Sequence, residues 1–379
     1  MEGKDMNVDK KVRIGIVGCG SVMRGPYTNQ IKHIKQLGLS VDVTMTCDVT
    51  PEGAATAQRL WPEAKFVQDY RAVVESDQVD LVLVTTSMQL HFEVSKAALL
   101  AGKHVLVEKP MATSLAEGKE LLEISKTSRG ILHPAPHVVL SATFKAMKQH
   151  IDSGDIGKPY LARAFYGWSG PTWGKWFYQR GGGALFDLGV YNVATMTALL
   201  GPAKRVTALA GTTIPERIVD NAMTKVEVVD NAHINLDFGN GVYGVITTGF
   251  TIQAYRVPGV EVYGSEGTIQ MLGDDWAPKG YELYRKSTGR PGYWELHPDS
   301  DSNWHWTDGL RHLVQSIVSG TPDVVTAEHG YHVLEIMLKA EEAGRTGITQ
   351  TIASTFSPLK TEDAVAPKIS VHDPTRVED

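Results

Sequence analysis

Residues 12–23 read Val-Arg-Ile-Gly-Ile-Val-Gly-Cys-Gly-Ser-Val-Met, and this stretch decides the fold. The apolar run Val12–Val17 predicts a buried strand, and a helical pattern continues to about Leu37. Glycines at such a bend let the backbone approach a pyrophosphate, which then lies on the amide groups of the helix. The site where a G-x-G-x-x-G motif has its third glycine holds Met23, so a plain strand–helix turn remains the alternative. The candidate cofactor contacts here are Gly18, Gly20, Ser21 and Val22.

The same alternation of strand and helix continues downstream. Apolar runs that predict strands are Val41–Cys47, Val79–Thr85 and His104–Val107. Helical patterns between and after them are Glu52–Leu60, Tyr70–Glu75, Phe92–Ala101 and Leu115–Thr127. Strands that alternate with helices of this length are typical of parallel βαβ units. We therefore predict a doubly wound parallel sheet, a Rossmann domain, over residues 11–135.

After about residue 150 the pattern changes to β-rich segments separated by turns. The predicted strands are Tyr160–Tyr166, Arg205–Thr213, Lys225–Phe238, Val242–Ile252, Gly259–Tyr263 and Thr268–Leu272. Gly239-Asn240-Gly241 between two of them predicts a hairpin. Predicted helices are Ala184–Leu200, Trp306–Val318 and Glu328–Ala343. We expect an α+β domain with a mostly antiparallel sheet over residues 136–353, a disordered leader at 1–10 and a partly ordered tail at 354–379.

Composition excludes several classes of protein. The 379 residues carry a net charge of −6, which gives no electrostatic basis for binding nucleic acid or an anionic membrane. No apolar run is long enough to span a bilayer, and the polar N-terminus has no signal-peptide core. Cys19 and Cys47 are expected to be reduced thiols, and Glu328, His329 and His332 are expected to belong to a surface or packed helix rather than a metal site. We expect a cytoplasmic protein that binds no metal.

Asp48 closes the second predicted strand, where an acidic residue can hold the ribose hydroxyls of a bound dinucleotide. A carboxylate at this place repels a 2′-phosphate, and the next residue is Val49 rather than an arginine. The sequence therefore favours NAD(H) over NADP(H).

Two further motifs carry ionisable side chains. Glu108-Lys109-Pro110 follows a strand at the carboxyl edge of the sheet, where ligands of such folds bind; a solvated lysine is the alternative. Asp187 and Tyr191 lie four residues apart on one face of a predicted apolar helix. Buried polar groups need partners or a function, although a capping Asp and a core Tyr would also explain them.

In this order, the three motifs resemble the Gfo/Idh/MocA family, named for glucose–fructose oxidoreductase and inositol dehydrogenase. The resemblance covers about residues 11–350 and implies a Rossmann domain followed by an α+β domain with a large, open sheet that forms a dimer or tetramer interface. The family's lysine matches Lys109 and its helix aspartate matches Asp187, whereas its usual catalytic histidine is Tyr191 here. The resemblance also implies further site residues. These are Thr86, Ser87, His91, Glu108 and Lys109 at the cofactor and His137 at the substrate.

The function that we predict is NAD(H)-dependent hydride transfer at a secondary hydroxyl of a sugar, glycoside or cyclitol. Tyr191 is the candidate base, with its pKa lowered by the Lys109 ammonium, and Asp187 orients the sugar; Lys109 is the base if Tyr191 only orients. Trp173, Lys175 and Trp176 are candidates for a wall that contacts the sugar. The alternatives are a glycoside hydrolase or lyase that retains NAD and oxidises its substrate transiently, and a non-catalytic NAD-binding sensor.

Overall fold

A computed structural model describes residues 11–287 and 290–359, and within them the chain forms two large sheets and a small hairpin. The predicted leader at 1–10 and residues 360–379 of the predicted tail lie outside the described residues. Both predicted sheets are present, so the fold class read from the sequence is confirmed.

The first sheet has six parallel strands in the order β3-β2-β1-β4-β5-β6. The strands are β1 (Val12–Val17), β2 (Val41–Cys47), β3 (Lys65–Val67), β4 (Leu81–Val84), β5 (His104–Val107) and β6 (Leu132–Pro134). This is the order of a doubly wound dinucleotide-binding fold, in which the chain changes direction between β1 and β4 and leaves a crevice at their carboxyl ends. Both faces are covered, which is why β1 and β4 consist almost wholly of apolar side chains.

Helices connect these strands on both faces of the sheet. They are α1 (Thr28–Gln36), α2 (Pro51–Leu60), α3 (Arg71–Val74), α4 (His91–Leu100) and α5 (Leu115–Thr127). The hydroxyls of Thr50 and Ser114 cap α2 and α5 by accepting backbone N–H groups of their first turns. A π-helical turn, Met23–Tyr27, precedes α1. Met23, which occupies the position of the motif's third glycine, is completely buried.

The second sheet has nine strands in the described part of the chain, in the order β16-β15-β14-β13-β7-β12-β11-β8-β17. Its strands are β7 (Pro159–Gly167), β8 (Arg205–Gly211), β11 (Asn231–Gly239), β12 (Val242–Gly249), β13 (Val260–Gly264), β14 (Gly267–Asp274), β15 (Ala277–Ser287), β16 (Arg290–Pro298) and β17 (Gln350–Thr351). β7 and β12 run parallel and the other neighbours antiparallel. The predicted hairpin at Gly239-Asn240-Gly241 joins β11 to β12, and Asn240 has a φ of +55° there.

One predicted strand and one predicted helix are each divided in two. Lys225–Phe238 was predicted as one strand, but β9 (Glu216–Val219) and β10 (Ala222–Lys225) form a separate hairpin before β11 begins. The division occurs because buried Asp230 accepts the backbone N–H groups of Thr213 and Ile214, which takes the intervening chain out of the sheet. The predicted helix Ala184–Leu200 starts as a π-helical turn, Leu185–Gly189, and becomes α7 (Val190–Leu200).

The remaining helices are α6 (Ala142–Asp152), α8 (Gly309–Ser319) and α9 (Ala327–Thr346). α6, α7 and α9 cover one face of the nine-stranded sheet. α8 instead returns to the parallel sheet, where Leu310, Leu313 and Val314 share a core with side chains of β1 and α1. The amphipathic pattern that predicted this helix could not show which sheet it would cover.

The described residues of the predicted tail, 354–359, have no regular secondary structure but pack on α9. Phe356 is buried against the rings of His329 and His332. The Ser354 backbone N–H donates to Glu335 at 2.7 Å.

We predict that Gly18→Ala destabilises the protein. Gly18 has a φ of +96°, and a β-carbon there would lie 2.6 Å from the carbonyl of Thr85 at the end of β4. Strained backbone costs about 1–3 kcal/mol, and the overpacking adds roughly 1–3 kcal/mol. Urea unfolding measures the loss. Gly20→Ala is the matched control, since nothing lies within 4 Å of a β-carbon at that exposed position. Equal unfolding midpoints for the two variants would contradict the close approach as a constraint.

Candidate active site

A cavity of about 540 Å³ opens at the carboxyl edge of the parallel sheet, where β1 and β4 diverge. The chain brings most of the sequence-predicted residues to its walls. These are Gly18, Gly20, Ser21, Val22, Asp48, Thr86, Ser87, His91, Glu108, Lys109, Trp173, Trp176, Asp187 and Tyr191. Since the first ten follow strands of the parallel sheet and the last four lie beside the second sheet, the cavity is a cleft between the two halves.

The glycine loop is held against the end of β4 and against Asp48. The Thr85 hydroxyl donates to the carbonyl of Gly18 at 2.6 Å. The Asp48 carboxylate accepts the Cys19 N–H at 2.7 Å on one oxygen and the Thr50 N–H at 2.8 Å on the other. Backbone amides therefore fix the orientation of Asp48 beside the loop.

These residues fit a dinucleotide. The first amide groups of a helix have no partner within it, and here they belong to residues that line the cleft. Gly20 leaves open space where any other residue would place a β-carbon, so a pyrophosphate could approach the backbone closely. Gly18, Gly20, Ser21 and Val22 would hold the phosphates, and Asp48 the ribose.

Lys109 and Asp187 form an ion pair across the cleft. The Lys109 ammonium lies 2.6 Å from Oδ1 of Asp187 and 2.9 Å from its backbone carbonyl oxygen. The two side chains are only 12% and 13% exposed. β5 ends just before Lys109, and Asp187 lies in the π-helical turn before α7, so the pair connects the two halves of the molecule.

Tyr191 lies beside this pair, with its ring centroid 5.3 Å from the Lys109 nitrogen. We expected the ammonium to lower the pKa of Tyr191, and that expectation is wrong. Burial raises the pKa of Tyr191 well above its usual value, and the negative charges of Glu108, Asp187 and Asp275 raise it further. The phenol is therefore neutral at physiological pH.

Tyr27 is a residue of this site that the sequence analysis missed. Its buried hydroxyl donates to Oε1 of Glu108 at 2.7 Å, and Oε2 of Glu108 accepts the Lys109 N–H at 3.1 Å. Burial raises the pKa of Glu108. The contact joins the π-helical turn after the glycine loop to the segment that carries Lys109. Tyr27 and Glu108 are 81 positions apart in sequence, so no local sequence pattern predicts their contact.

His91 contacts the segment that carries Lys109 and also the end of β4. Its ring nitrogens lie 2.7 Å from the carbonyl oxygen of Pro110 and 3.2 Å from that of Thr86. Burial lowers the pKa of His91 to about 4, so the imidazole is neutral at physiological pH. The ring thus fastens two chain segments that line the cleft.

Aromatic side chains form the outer wall of the cleft. Trp173 and Trp176, both predicted, are joined there by Phe177 and Trp306. The Trp176 and Phe177 rings stack with centroids 3.7 Å apart. Flat apolar faces next to an ion pair are the surfaces that a sugar ring can use, with its C–H groups on the aromatics and its hydroxyls on the charges.

Two predicted substrate residues do not line this cleft. Lys175 is exposed outside it. His137 is completely buried behind the wall, with Nδ1 3.1 Å from the Trp306 carbonyl oxygen and its ring against His133. Burial lowers the pKa of His137 well below its usual value. The position of His137 relative to Trp306 depends on the return of the chain near residue 306, which the local sequence does not reveal.

The described residues contain no group of three or more His, Cys, Asp or Glu arranged to hold a metal ion. His329 lies 2.9 Å from the hydroxyl of Thr197, and His332 accepts the backbone N–H of Ala203.

Across residues 11–287 and 290–359, no helix is long and apolar enough to cross a membrane.

Comparison with known families identifies the chain. An oxidoreductase family with an NAD-binding Rossmann fold matches residues 12–135, and the C-terminal domain of GFO/IDH/MocA proteins matches residues 144–270. The protein belongs to the Gfo/Idh/MocA family of oxidoreductases, and its parallel sheet is an NAD-binding domain.

Its curated relatives include enzymes of sugar and cyclitol chemistry. A scyllo-inositol 2-dehydrogenase (NADP(+)) of Bacillus subtilis is 27% identical over 88% of this chain and 94% of its own. A 1,5-anhydro-D-fructose reductase of Ensifer adhaerens is 31% identical over 68% of this chain and 74% of its own. Among solved structures, a levoglucosan dehydrogenase in complex with NADH superposes with a TM-score of 0.81 at 21% identity, over 91% of this chain and all of that one.

We predict that Tyr27→Phe lowers the free energy of unfolding by about 1–3 kcal/mol, because a buried carboxylate loses a donor. Thermal and urea unfolding of the unaltered protein and of Tyr27→Phe measure the difference in the free energy of unfolding. Tyr70→Phe is the matched control: the Tyr70 hydroxyl donates to Glu93 at 2.6 Å, but at the surface, so we expect a change within about 0.5 kcal/mol. Equal losses in the two variants would show that burial does not distinguish the two bonds.

Proposed function

We propose that the protein is an NAD(H)-dependent dehydrogenase of a secondary hydroxyl group in a sugar, glycoside or cyclitol. The observation that carries the proposal is the ion pair of Lys109 and Asp187 beside neutral Tyr191, at the end of a cleft suited to a dinucleotide. The family is one of oxidoreductases, and the named relatives act on inositols and anhydrosugars.

A bound nicotinamide would supply the acceptor or donor of the hydride. The protein must then move one proton at the reacting oxygen. For reduction of a carbonyl, the Lys109 ammonium gives that proton; for oxidation of the alcohol, the neutral amine of Lys109 takes it from the hydroxyl.

Asp187 and Tyr191 have supporting roles in this proposal. The Asp187 carboxylate holds the Lys109 nitrogen in place and accepts a hydrogen bond from a neighbouring substrate hydroxyl. Tyr191 donates its hydroxyl proton in a hydrogen bond to the reacting oxygen and keeps that proton, because its raised pKa disfavours the phenolate. Of the two bases that the sequence left open, the raised pKa of Tyr191 argues against Tyr191, which leaves Lys109.

For the cofactor, we propose NAD(H) rather than NADP(H). The support is Asp48, whose carboxylate is fixed beside the cleft by the Cys19 and Thr50 amides. A 2′-phosphate would face that negative charge, and the next side chain, Val49, offers no positive charge to offset it. Relatives named for NADP(+) and for NAD(+) both exist, so the family does not decide the choice.

We also propose that the chain forms a homodimer or homotetramer through the open face of the nine-stranded sheet. That face carries the large exposed side chains of Leu161, Leu209 and Tyr243 on neighbouring or nearby strands. Large apolar side chains exposed on one face of a sheet support an interface there. The cytoplasmic location stays a prediction from the sequence.

We predict that NADH binds more tightly than NADPH and that Asp48→Asn narrows the difference by about tenfold, or ~1.4 kcal/mol. Asparagine keeps the shape of the side chain and removes its charge. Fluorescence titrations of the unaltered protein and of each variant with NADH and with NADPH measure the ratio of the two dissociation constants. Asp77→Asn is the control, since Asp77 lies before β4 at the opposite edge of the sheet. Tighter binding of NADPH by the unaltered protein would refute the assignment of Asp48.

We predict that Lys109→Met lowers kcat by about 10²–10⁴-fold, the usual contribution of acid–base catalysis, while NADH still binds. The control is Lys103→Met. Lys103 lies at the other end of β5, where its ammonium donates to the carbonyls of Ser76 and Val79. NADH formation in excess NAD⁺ is followed with a panel of sugars and inositols. Product release at constant NADH would instead indicate a hydrolase or lyase that retains its cofactor.

Tyr191→Phe separates the two candidate bases. If Tyr191 only donates a hydrogen bond, we expect the rate to fall by about tenfold, the value of one hydrogen bond, and the pH dependence of kcat to keep its form. Stopped assays across the pH range measure both. A Phe variant whose pH profile loses its alkaline limb would return the role of base to Tyr191.

A further inference from the structure

A buried carboxyl group outside the cleft, that of Asp275, is bonded to the helix that carries Tyr191. Asp275 lies in the turn between β14 and β15 and is completely buried. Its Oδ2 accepts the side-chain N–H of Asn192 at 2.9 Å and the hydroxyl of Thr195 at 3.0 Å. Both donors belong to α7 and are themselves completely buried. The turn is therefore fastened to α7 within the core.

These two bonds hold α7 next to the position of Tyr191. Asn192 directly follows Tyr191, and Thr195 lies four residues after it, on the same face of the helix as Tyr191. Two bonds to one oxygen from neighbouring positions of the helix surface oppose rotation of the helix about its axis. Because Tyr191 is the residue of α7 that lines the cleft, such a rotation would move its hydroxyl relative to Lys109.

No cation accompanies this buried carboxyl group among the residues that the structure describes. Both of its donors are neutral, and its Oδ1 has no donor from another residue. Burial raises the pKa of Asp275 to about 7, although the bonds from Asn192 and Thr195 lower it. The ionisable groups that face Asp275 from its own turn and from neighbouring elements are Asp274, Tyr166, Tyr191 and Tyr255. The hydrogen bonds that the side chain accepts from other residues thus all come from α7.

We propose that Asp275 is a positioning residue for the reaction and that it acts through Tyr191. Its two hydrogen bonds fix the rotation of α7, so that Tyr191 presents its hydroxyl to the reacting oxygen while its ring stays beneath the Lys109 ammonium. Asp275 itself does not line the cleft, so it touches neither substrate nor cofactor. The proposal rests on the dehydrogenase function proposed above and on the hydrogen bond assigned there to Tyr191.

The test measures kcat and KM of NADH formation for Asp275→Ala, in the presence and in the absence of the Tyr191 hydroxyl. We expect Asp275→Ala alone to lower kcat by about tenfold, the value of the one bond that Tyr191 donates, and to leave the KM for NAD⁺ almost unchanged. In the Tyr191→Phe protein the same substitution should change kcat by less than about twofold, because the hydroxyl that Asp275 positions is gone. Asp275→Asn, whose amide oxygen can accept both bonds, should keep kcat near that of the unaltered protein.

Asp274→Ala is the matched control. Asp274 is the neighbouring residue at the end of β14, but its carboxylate accepts the Tyr255 hydroxyl rather than a donor of α7. We expect Asp274→Ala to leave kcat unchanged. General damage to packing would lower kcat with or without the Tyr191 hydroxyl. An equal loss in both backgrounds, an equal loss from Asp274→Ala, or no loss from Asp275→Ala therefore overturns the positioning role.

A milder variant keeps the test decisive where Asp275→Ala does not fold. Thr195→Val removes one of the two donors with little change of side-chain volume. It should lower kcat several-fold in the protein that has the Tyr191 hydroxyl and leave kcat unchanged in Tyr191→Phe. A loss of the same size in both backgrounds overturns the positioning role.

A measurement without turnover separates this proposal from the proposed function. In protein labelled with 3-fluorotyrosine, the ¹⁹F resonance of Tyr191 is identified by its absence from Tyr191→Phe. Asp275→Ala and Thr195→Val should shift that resonance, and Asp274→Ala should leave it in place. An unchanged Tyr191 resonance overturns the positioning role, whereas NADH formation from no sugar, glycoside or cyclitol overturns the proposed function.

Discussion

The ion pair between Lys109 and Asp187 is the constraint on which the site depends. It joins the end of the parallel sheet to the helix that covers the second sheet, so the two walls of the cleft are held at a fixed separation. Removing two charges from water is costly, and here the extra bond from the ammonium to the Asp187 carbonyl offsets part of that cost. The π-helical turn contributes to this geometry, since it presents both the carbonyl and the carboxylate of one residue to the lysine.

The charges around the pair determine where the mobile proton can be. Glu108, Asp187 and Asp275 act on Tyr191 from its surroundings and raise its pKa. Tyr27 holds Glu108 in place, so the π-helical turn after the glycine loop and the segment that carries Lys109 belong to one hydrogen-bond network. The Lys109 ammonium in turn lies over the Tyr191 ring. A tyrosine can therefore occupy the position where the family resemblance implies a histidine, provided that the lysine exchanges the proton. Aromatic residues border the network at the outer wall of the cleft.

Prediction from the sequence succeeded where a local pattern determines the structure. β2 and α5 have the predicted bounds because apolar runs and capping residues are read within a few positions. Asp187 and Tyr191 both reach the cleft, although a π-helical turn was not foreseen. Long-range contacts were not accessible to the same reasoning: Tyr27 meets Glu108, and His137 is buried behind Trp306, only because distant segments pack together. β15 and β16 lie at one end of the nine-stranded sheet, where strands can be polar and lack the apolar alternation that predicted the others.

The return of α8 to the parallel sheet affects how the protein is made. Leu310, Leu313 and Val314 complete the core beside β1, so part of one face of the parallel sheet stays uncovered until α8 has been synthesised. At ordinary rates of translation, β6 precedes α8 by on the order of ten seconds. During that time the second half is synthesised while the first remains incomplete. The core of the parallel sheet is thus completed only after strands β7 to β16 of the second sheet have been made, although the glycine loop is synthesised before all of them.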